Sequence, residues 1–476
     1  MSSTRITISL MKGHAMKHNP MRLVRRKAKT ITAIAIAVVG TVAFAGCAAS
    51  PGDAHSSSDT KGQTISYWLW DTNQQPAYQQ CATDFAKQTG INVKISQYGW
   101  ADYWKKITTG FVSGTAPDTF ADHLSYYPQF VSQGQLLDIT DAVKKDKVDL
   151  GQYQEGLANL WVKDGKRYGL PKDFDTVAYY YNDSMLKAAN LSEADMNNLT
   201  WNSTDGGTFE KAVAALTVDK NGVHGDQPGF DKSNVAVYGM SMNGAGLDAA
   251  GQNAWSAYAL SAGWNYGDKT PWTTKWNYGD AKFIEALSFY KSLIDKGYMP
   301  PVAQALSETD PSTGYLAGKY AMATDGDWMN TTYLGQTAVP TKVAPTAIGP
   351  SGKRASLFNG LSDGIWAGTK HKAAAIKWIE YTGSTACQDT VASKAVVFPA
   401  IKSSTAKAVA QFKAKGWDVS GFTEQVTDGT TKLLPIADHW SDVQAQIQPL
   451  IQGYLQGKST AADFVAANKQ VDALFK

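Results

Sequence analysis

The segments Ile65-Ser-Tyr-Trp-Leu69 and Ile91-Asn-Val-Lys-Ile95, with a helical pattern between them, decide the fold. The first is a short apolar run and the second alternates apolar with polar residues, so both predict β-strands. Between them, apolar residues recur at helical spacing: Tyr78, Cys81 and Phe85. Gly90 is typical of the end of that helix. A strand, a helix and a second strand at this spacing predict a parallel strand pair with a right-handed crossover.

The alternation of strands and helices continues towards the C-terminus. Asp118-Thr-Phe-Ala121 predicts a short strand. Helical patterns follow at 209–216, 281–296, 373–381 and 443–455. Repeated units of this kind favour an α/β fold with an open parallel sheet, which binds ligands beyond the carboxyl ends of its strands. At those ends the sequence places Trp70-Asp71 and Asp122-His123.

The first 46 residues have the pattern of a signal peptide. They carry eight Lys and Arg and no acidic residue, and 30–45 is uncharged and mostly apolar. This apolar run is shorter than the roughly 20 residues that span a bilayer. It leads into Phe44-Ala-Gly-Cys47, which resembles a bacterial lipobox and implies a lipid on Cys47. The small and polar residues of 47–63 predict a flexible tether.

The charge and the motifs argue against several classes of protein. The whole chain has a net charge of +3, but the part after the leader has 37 basic and 42 acidic residues. This balance does not favour a nucleic-acid partner. No His-Glu-x-x-His or Cys-x-x-Cys occurs, so we expect no metal. Gly244–Ala249 has the letters of a dinucleotide motif without its strand–helix context, so we predict a loop and no cofactor.

The 15 tryptophans favour a carbohydrate site. Sugar rings stack on aromatic side chains, and their hydroxyls need fixed hydrogen-bond partners such as carboxylates. In three predicted loops a Trp follows or precedes a polar residue: Trp70-Asp71, Asp327-Trp328 and His439-Trp440. Burial in the core explains most tryptophans in a protein, but it explains a tryptophan beside a polar residue in a loop less readily.

Several motifs follow one another along the chain: Phe85–Val93, Ala116–Asp118, Gly134–Thr140, Gly169–Asn182, Gly318–Trp328 and Phe398–Ala400. Their order over Gln63–Lys476 resembles the family 1 extracellular solute-binding proteins of ABC sugar importers, the family of the maltose-binding protein. The resemblance implies a two-lobed periplasmic-binding-protein fold, in which crossing strands join two mostly parallel, helix-flanked sheets. It implies a first lobe at 64–173 and 323–367 and a second lobe at 174–322 and 368–476.

The resemblance also implies the residues that line the ligand cleft. Those that match the family's ligand loops are Trp70, Asp71, Asp122, Asp175, Trp328, Trp440, Asn253, Trp255, Asn359 and Gly360. His123 joins them because it lies beside Asp122. None of these residues is expected to be catalytic. Cys81 and Cys387 are consistent with a disulfide or with buried thiols, and the resemblance favours unpaired thiols because it places them on different lobes.

The function implied is capture of a carbohydrate, an oligosaccharide in particular, for an ABC permease. The protein is expected to be a monomer held by its lipid on the outer face of a bacterial membrane, of the Gram-positive type. Two alternatives stay open. A secreted glycoside hydrolase also needs aromatic platforms and paired carboxylates. A binding protein of the same fold for a non-sugar solute is the other.

Overall fold

The computed structural model describes residues 60–308 and 310–476. The predicted signal peptide, Cys47 and most of the predicted tether lie outside these ranges. Within them, no helix is both long enough and apolar enough to cross a membrane.

The first strand–helix–strand unit forms as the sequence predicts. It consists of β1 (Thr64–Leu69), α1 (Gln75–Thr89) and β2 (Asn92–Gln97). The two strands are parallel, with Ile65 opposite Val93. The apolar face of α1, which includes Tyr78, Cys81 and Phe85, is buried. The spacing of apolar residues along the sequence was therefore enough to predict this strand–helix–strand unit.

The remaining elements follow in alternation. The strands are β3 (Thr119–His123), β4 (Val162–Lys163), β5 (Lys166–Arg167), β6 (Leu170–Asp175), β7 (Val177–Asn182), β8 (Val218–Asp219), β9 (Val235–Met240), β10 (Tyr320–Gly326), β11 (Thr341–Ala344), β12 (Ser356–Ile365), β13 (Phe398–Pro399) and β14 (Thr431–Leu433). Short 3₁₀ turns lie at Leu150–Gln152, Gly244–Gly246 and Asp327–Met329.

The helices after α1 are α2 (Trp100–Ser113), α3 (Tyr127–Ser132), α4 (Thr140–Lys145), α5 (Leu157–Leu160), α6 (Asp183–Ala188), α7 (Glu193–Asn197), α8 (Gly207–Leu216), α9 (Ser256–Ser261), α10 (Ala281–Asp295), α11 (Val302–Ser307), α12 (Ser312–Leu316), α13 (Asn330–Leu334), α14 (Lys372–Thr382), α15 (Thr385–Lys394), α16 (Lys402–Ala414), α17 (Ser420–Thr427), α18 (Trp440–Leu455) and α19 (Ala461–Ala473).

Two main sheets organise these elements. The first has the order β13-β6-β12-β3-β1-β2, with β14 paired to β12, and the second has the order β11-β7-β10-β9-β8. The fold is α/β as expected, but the prediction of mostly parallel sheets is wrong. In the first sheet β12 runs antiparallel to both β3 and β6, and in the second only the β9–β10 pair is parallel. The reason is that these strands come from chain segments that return to the sheet from far away in sequence.

Crossing strands join the two sheets, as expected. β6 belongs to the first sheet, and β7, which starts one residue beyond Thr176, belongs to the second. At this crossing the Thr176 N–H donates to Asp327 Oδ1 at 2.9 Å, and the Asp327 N–H donates to the Thr176 carbonyl at 3.2 Å. The Ser356 hydroxyl, at the start of β12, accepts from the Val177 N–H at 2.8 Å. These contacts bring the three crossing segments together.

The structure corrects parts of the expected lobe boundaries. Residues 323–326 lie in β10 of the second sheet, although the expectation placed them in the first lobe. Helices α14 and α15, which were expected in the second lobe, pack on β12 and α1 of the first sheet's body. These residues are distant in sequence, so local patterns did not reveal where they pack.

The prediction of unpaired cysteines is also wrong. Cys81 on α1 and Cys387 on α15 form a disulfide. Both side chains are fully buried, because the two helices pack side by side against the first sheet. The bond therefore links residues of one body that are 306 positions apart.

Candidate functional site

Three aromatic side chains meet at the carboxyl ends of the first three strands. Trp70 follows β1, Trp100 begins the helix after β2, and His123 ends β3. The Trp100 ring centroid lies 5.2 Å from that of Trp70 and 5.4 Å from that of His123. They converge because β1 is parallel to both β2 and β3, so the carboxyl ends share one edge of the sheet.

Two further aromatic residues stand behind this group. Trp104 and Tyr126 stack with ring centroids 3.8 Å apart and 9° between their planes. Trp104 also lies 5.3 Å from Trp70 and is buried, whereas 45% of Trp100 is exposed. We call Trp70, Trp100, Trp104 and Tyr126 the aromatic wall. Its exposed indole can stack against the apolar face of a ligand.

A row of polar side chains crosses the sheet beside the wall. The Asn359 amide nitrogen, on β12, lies 2.7 Å from His123 Nε2 and donates to Asp175 Oδ2 at 3.2 Å. The register of β6 and β12 sets Asn359 directly opposite Asp175. From a loop that precedes α9, the Gln252 amide donates to Asp175 Oδ1 at 2.6 Å. We call His123, Asn359, Asp175 and Gln252 the polar row.

Asp122 places a carboxylate next to this row. Its Oδ1 accepts from the His123 backbone N–H at 2.8 Å, and its Oδ2 accepts no hydrogen bond from any described residue. Burial raises the pKa of the Asp122 carboxyl well above its usual value, and Asp363 raises it further. Burial lowers the pKa of His123 to about 3, so the imidazole is neutral at physiological pH. Burial therefore favours the protonated carboxyl of Asp122, which keeps one oxygen without a partner among the described residues.

Three more buried carboxyls lie close together at the crossing. Burial raises the pKa of Asp173 to about 7, against the opposing effect of Lys172. Burial also raises the pKa values of Asp175 and Asp327 well above normal, and the negative charge of Asp327 raises that of Asp175 further. Burial and the neighbouring carboxylates therefore favour the protonated, uncharged form of these carboxyls.

Asp71 is held in the turn that leads into α1. Its Oδ1 accepts from the Asn73 N–H at 2.7 Å and its Oδ2 accepts from the Gln74 amide at 2.9 Å. Burial raises the pKa of Asp71, which is half-buried beside Trp70. The Asp71 carboxylate therefore holds the backbone of this turn in place.

Trp328 lies in the 3₁₀ turn after β10 and remains partly exposed. It packs against the core of the first sheet. A Cβ at Gly326 would lie 1.8 Å from a ring carbon of Trp328, so this approach requires glycine. Trp328 thus follows Asp327 at the crossing, near the carboxyls described above.

Comparisons with known proteins show the family to which the chain belongs. A family model described as bacterial extracellular solute-binding protein matches residues 80–416, more than half of the chain. The chain belongs to this family. Its relatives include a maltodextrin-binding protein of Bacillus subtilis, 24% identical over 90% of this chain and 94% of the relative. A maltooligosaccharide ABC transporter solute-binding lipoprotein of Streptococcus pneumoniae is 23% identical, over 91% of this chain and 96% of its own.

Solved structures of the family share the fold. An ABC substrate-binding protein of Listeria monocytogenes, in complex with cycloalternan, superposes with a TM-score of 0.73 at 20% identity. The match covers 87% of this chain and 98% of that protein. The two-lobed fold of this solute-binding protein is therefore established.

Two of the tryptophans expected in the cleft lie in the core instead. Trp255 is 1% exposed, packs edge-on against Phe283 and donates from Nε1 to the Asp248 carbonyl at 3.0 Å. Trp440 is 4% exposed and stacks on Trp276 with centroids 5.5 Å apart. We therefore leave both out of the candidate site of this solute-binding protein.

Asn253 and Gly360 are also set apart from the aromatic wall. The Asn253 amide faces Asp325 Oδ1 at 3.4 Å on the second sheet. A Cβ at Gly360 would meet the Leu157 side chain at 2.9 Å, so this glycine allows close packing of α5 on β12. The site we retain consists of the aromatic wall, the polar row, Asp71, Asp122, Asp173, Asp327 and Trp328.

Six residues of the retained site were not predicted from the sequence: Trp100, Trp104, Tyr126, Asp173, Gln252 and Asp327. Trp100 follows β2 in the same way that Trp70 follows β1. Open parallel sheets bind ligands beyond the carboxyl ends of their strands, so considering the end of β2 as well would have identified Trp100. Gln252 gave no comparable signal because its partner, Asp175, is 77 residues away in the chain.

Proposed function

We propose that this solute-binding protein captures an oligosaccharide outside the cell and delivers it to an ABC permease. The observation that carries the proposal is the exposed ring of Trp100, whose centroid lies 5.4 Å from that of His123 in the polar row. Aromatic faces stack on the C–H faces of sugar rings, and carboxylate and amide groups bind the hydroxyls. The names of the relatives, which include maltodextrin- and maltooligosaccharide-binding proteins, support this choice.

Closure of the two bodies would complete the site. Gln252 comes from a loop near α9, whereas Asp175 lies on β6 of the first sheet, so their hydrogen bond reaches between chain segments that a hinge can separate. The hinge we propose is the crossing at Thr176, Asp327 and Ser356. Domain closure about such a hinge, around the ligand, is a common mode of movement in binding proteins.

The delivery step requires a fixed position at the membrane. We propose that the leader is removed, that Cys47 carries the lipid, and that residues 47–63 tether a monomeric binding protein to the outer face of the cell. Lipid chains partition into the bilayer by burying their methylene groups, and two chains hold far more firmly than one. No metal or cofactor enters this proposal.

The proposal is tested by titrating a panel of oligosaccharides into the purified protein and by analysing the same mixtures for products. We expect binding of at least one oligosaccharide without turnover. Release of shorter sugars would instead identify a glycoside hydrolase. Absence of binding to every sugar, in a protein whose thermal unfolding is normal, would indicate a different solute.

A further inference from the structure

A tryptophan of the second sheet's body packs on the first sheet's body at a place other than the crossing. Trp272 lies in the loop between α9 and α10. Its ring centroid is 5.8 Å from that of Tyr127 on α3, and its Nε1 donates to the Val162 carbonyl on β4 at 3.2 Å. The Lys163 ammonium lies 4.9 Å from the centre of the Trp272 ring. The indole therefore makes an aromatic, a hydrogen-bonding and a cation–π contact.

The residues that Trp272 contacts belong to the first body. Phe130 of α3 lies 6.0 Å from Phe120 of β3, measured between ring centroids. Tyr127 lies 5.0 Å from Trp161, the residue before β4, and α5 packs on β6. Helix α3 and strand β4 are thus attached to the first sheet.

The loop of Trp272 belongs to the second body. The Thr273 N–H donates to the Ile436 carbonyl at 3.0 Å, and Trp276 stacks on Trp440, the first residue of α18. Helix α10 packs on both α9 and α18. The second sheet is reached through α8, since its Phe209 ring lies 5.5 Å from the rings of Tyr179 on β7 and Tyr258 on α9.

Two polar contacts join the same parts of the bodies. Lys163 forms an ion pair with Asp438, and the Ser441 hydroxyl donates to Gln129 Oε1 at 2.8 Å. We call these contacts and those of Trp272 the rim contact. Because 17% of Lys163 and 38% of Asp438 are exposed, their ion pair contributes little by itself. Most of the stabilisation is therefore expected from Trp272.

The backbone of Trp272 supports a role for this side chain. Its φ is 65°, in the left-handed region that a bulky side chain rarely adopts. Such a conformation persists only where the surrounding structure holds it in place, and it is frequent at functional positions. Here the contacts of the ring with the first body hold it.

The rim contact lies beside the aromatic wall. Tyr127 directly follows Tyr126 of the wall. Burial and the charge of Asp248 raise the pKa of Tyr126 to about 12, and Asp248 accepts a hydrogen bond from Gln444 of α18 at 3.0 Å. The second body therefore faces the wall next to the rim contact.

We propose that the rim contact is a latch that holds the two bodies closed over the aromatic wall. The inference rests on the closure in the proposed function, to which it adds the contact that opposes opening. Because the latch joins protein groups to each other, it favours the closed form with or without solute. It lowers the free energy needed for closure, so it strengthens binding and slows the release of a solute.

The test measures a distance between the two bodies by pulsed electron paramagnetic resonance, without any solute. Spin labels are attached at Thr109→Cys on α2 and Ala466→Cys on α19, both exposed, in the Cys47→Ala form. We expect two populations, one at the distance of the closed form described here and one at that of an open form. Trp272→Ala should lower the ratio of closed to open molecules by about fivefold, and Asp438→Asn by about twofold.

Asp295→Asn is the matched control. It removes an ion pair with Lys291 that lies within α10, so it should leave the ratio unchanged. Circular dichroism checks the fold of each variant, and two latch variants guard against the loss of one. Wild-type distances in both folded latch variants, or a wild type without the closed distance, would overturn the latch.

Solute titration separates the latch from a direct contact with solute. Weaker binding by Trp272→Ala with unchanged distances would identify Trp272 as a residue that touches the solute, and it would overturn the latch. Each of these negative results leaves the proposed capture of a sugar standing, since binding of the oligosaccharide panel tests that separately.

Discussion

The carboxyl group of Asp173 shows what burial does to a single residue. It has no hydrogen-bond donor among the described residues, and burial raises its pKa to about 7. In the unfolded chain the same group titrates near 4. The folded state therefore binds the proton more tightly than the unfolded state, and the stability of the protein falls as pH rises between these two values.

Replacing this group should remove that pH dependence. We predict that Asp173→Asn raises the melting temperature of the ligand-free protein by a few degrees above pH 7. The gain should vanish below about pH 3, where the carboxyl is protonated in both states. Differential scanning calorimetry across this pH range measures the difference in melting temperature between the variant and the wild type. A variant that is less stable than the wild type at every pH would show that the charge of Asp173 stabilises the fold.

The sequence predicted some residues of the site and misassigned others for a definite reason. Trp70, Asp122 and His123 follow or end strands, and the geometry of parallel strands brings such positions together. Trp255 and Trp440 also have polar neighbours in sequence, yet both pack on other aromatic rings in the core. Neighbours in sequence do not reveal the packing of a side chain, because that depends on distant segments.

At the scale of elements, the disulfide between α1 and α15 is the main constraint that the sequence did not reveal. Local periodicity predicted β1, α1 and β2, because the apolar pattern of each element is visible within one short stretch of sequence. It did not predict that α15 returns to α1 or that β12 enters the first sheet antiparallel to its neighbours. Those placements depend on contacts across hundreds of residues.

We predict that the disulfide is present and stabilising. In the Cys47→Ala form, unfolded without reductant, a thiol assay should detect no free thiol. The additional changes Cys81→Ala and Cys387→Ala should lower the free energy of unfolding by about 2–5 kcal/mol, the usual range for a lost native disulfide. Two free thiols in the first experiment would contradict the bond.

At the scale of the whole molecule, two sheet-centred bodies share one crossing of strands, and the candidate site lies at the strand ends beside it. The order of family motifs in the sequence predicted this architecture, while the exact borders of the lobes required the structure. The first 59 residues add the proposed anchor.

The anchor gives a prediction for the cell. With Cys47→Ala, the protein should move from the membrane fraction to the medium or the soluble extracellular fraction, because the lipid can no longer be attached. Immunoblotting of fractions follows this shift, with Ser57→Ala in the predicted tether as the control change. A protein that stays in the membrane fraction after Cys47→Ala would contradict lipid anchoring through this residue.

The central claim is that a sugar binds against the aromatic wall, and Trp100 tests it most directly. Trp100 is 45% exposed, so its removal should leave the fold intact. The matched control is Trp417, which packs on Phe412 away from the wall. In calorimetric titrations with the tightest-binding oligosaccharide, Trp100→Ala should lose about tenfold in affinity, or about 1.4 kcal/mol, and Trp417→Ala should match the wild type. Equal affinities for all three proteins would contradict the claim.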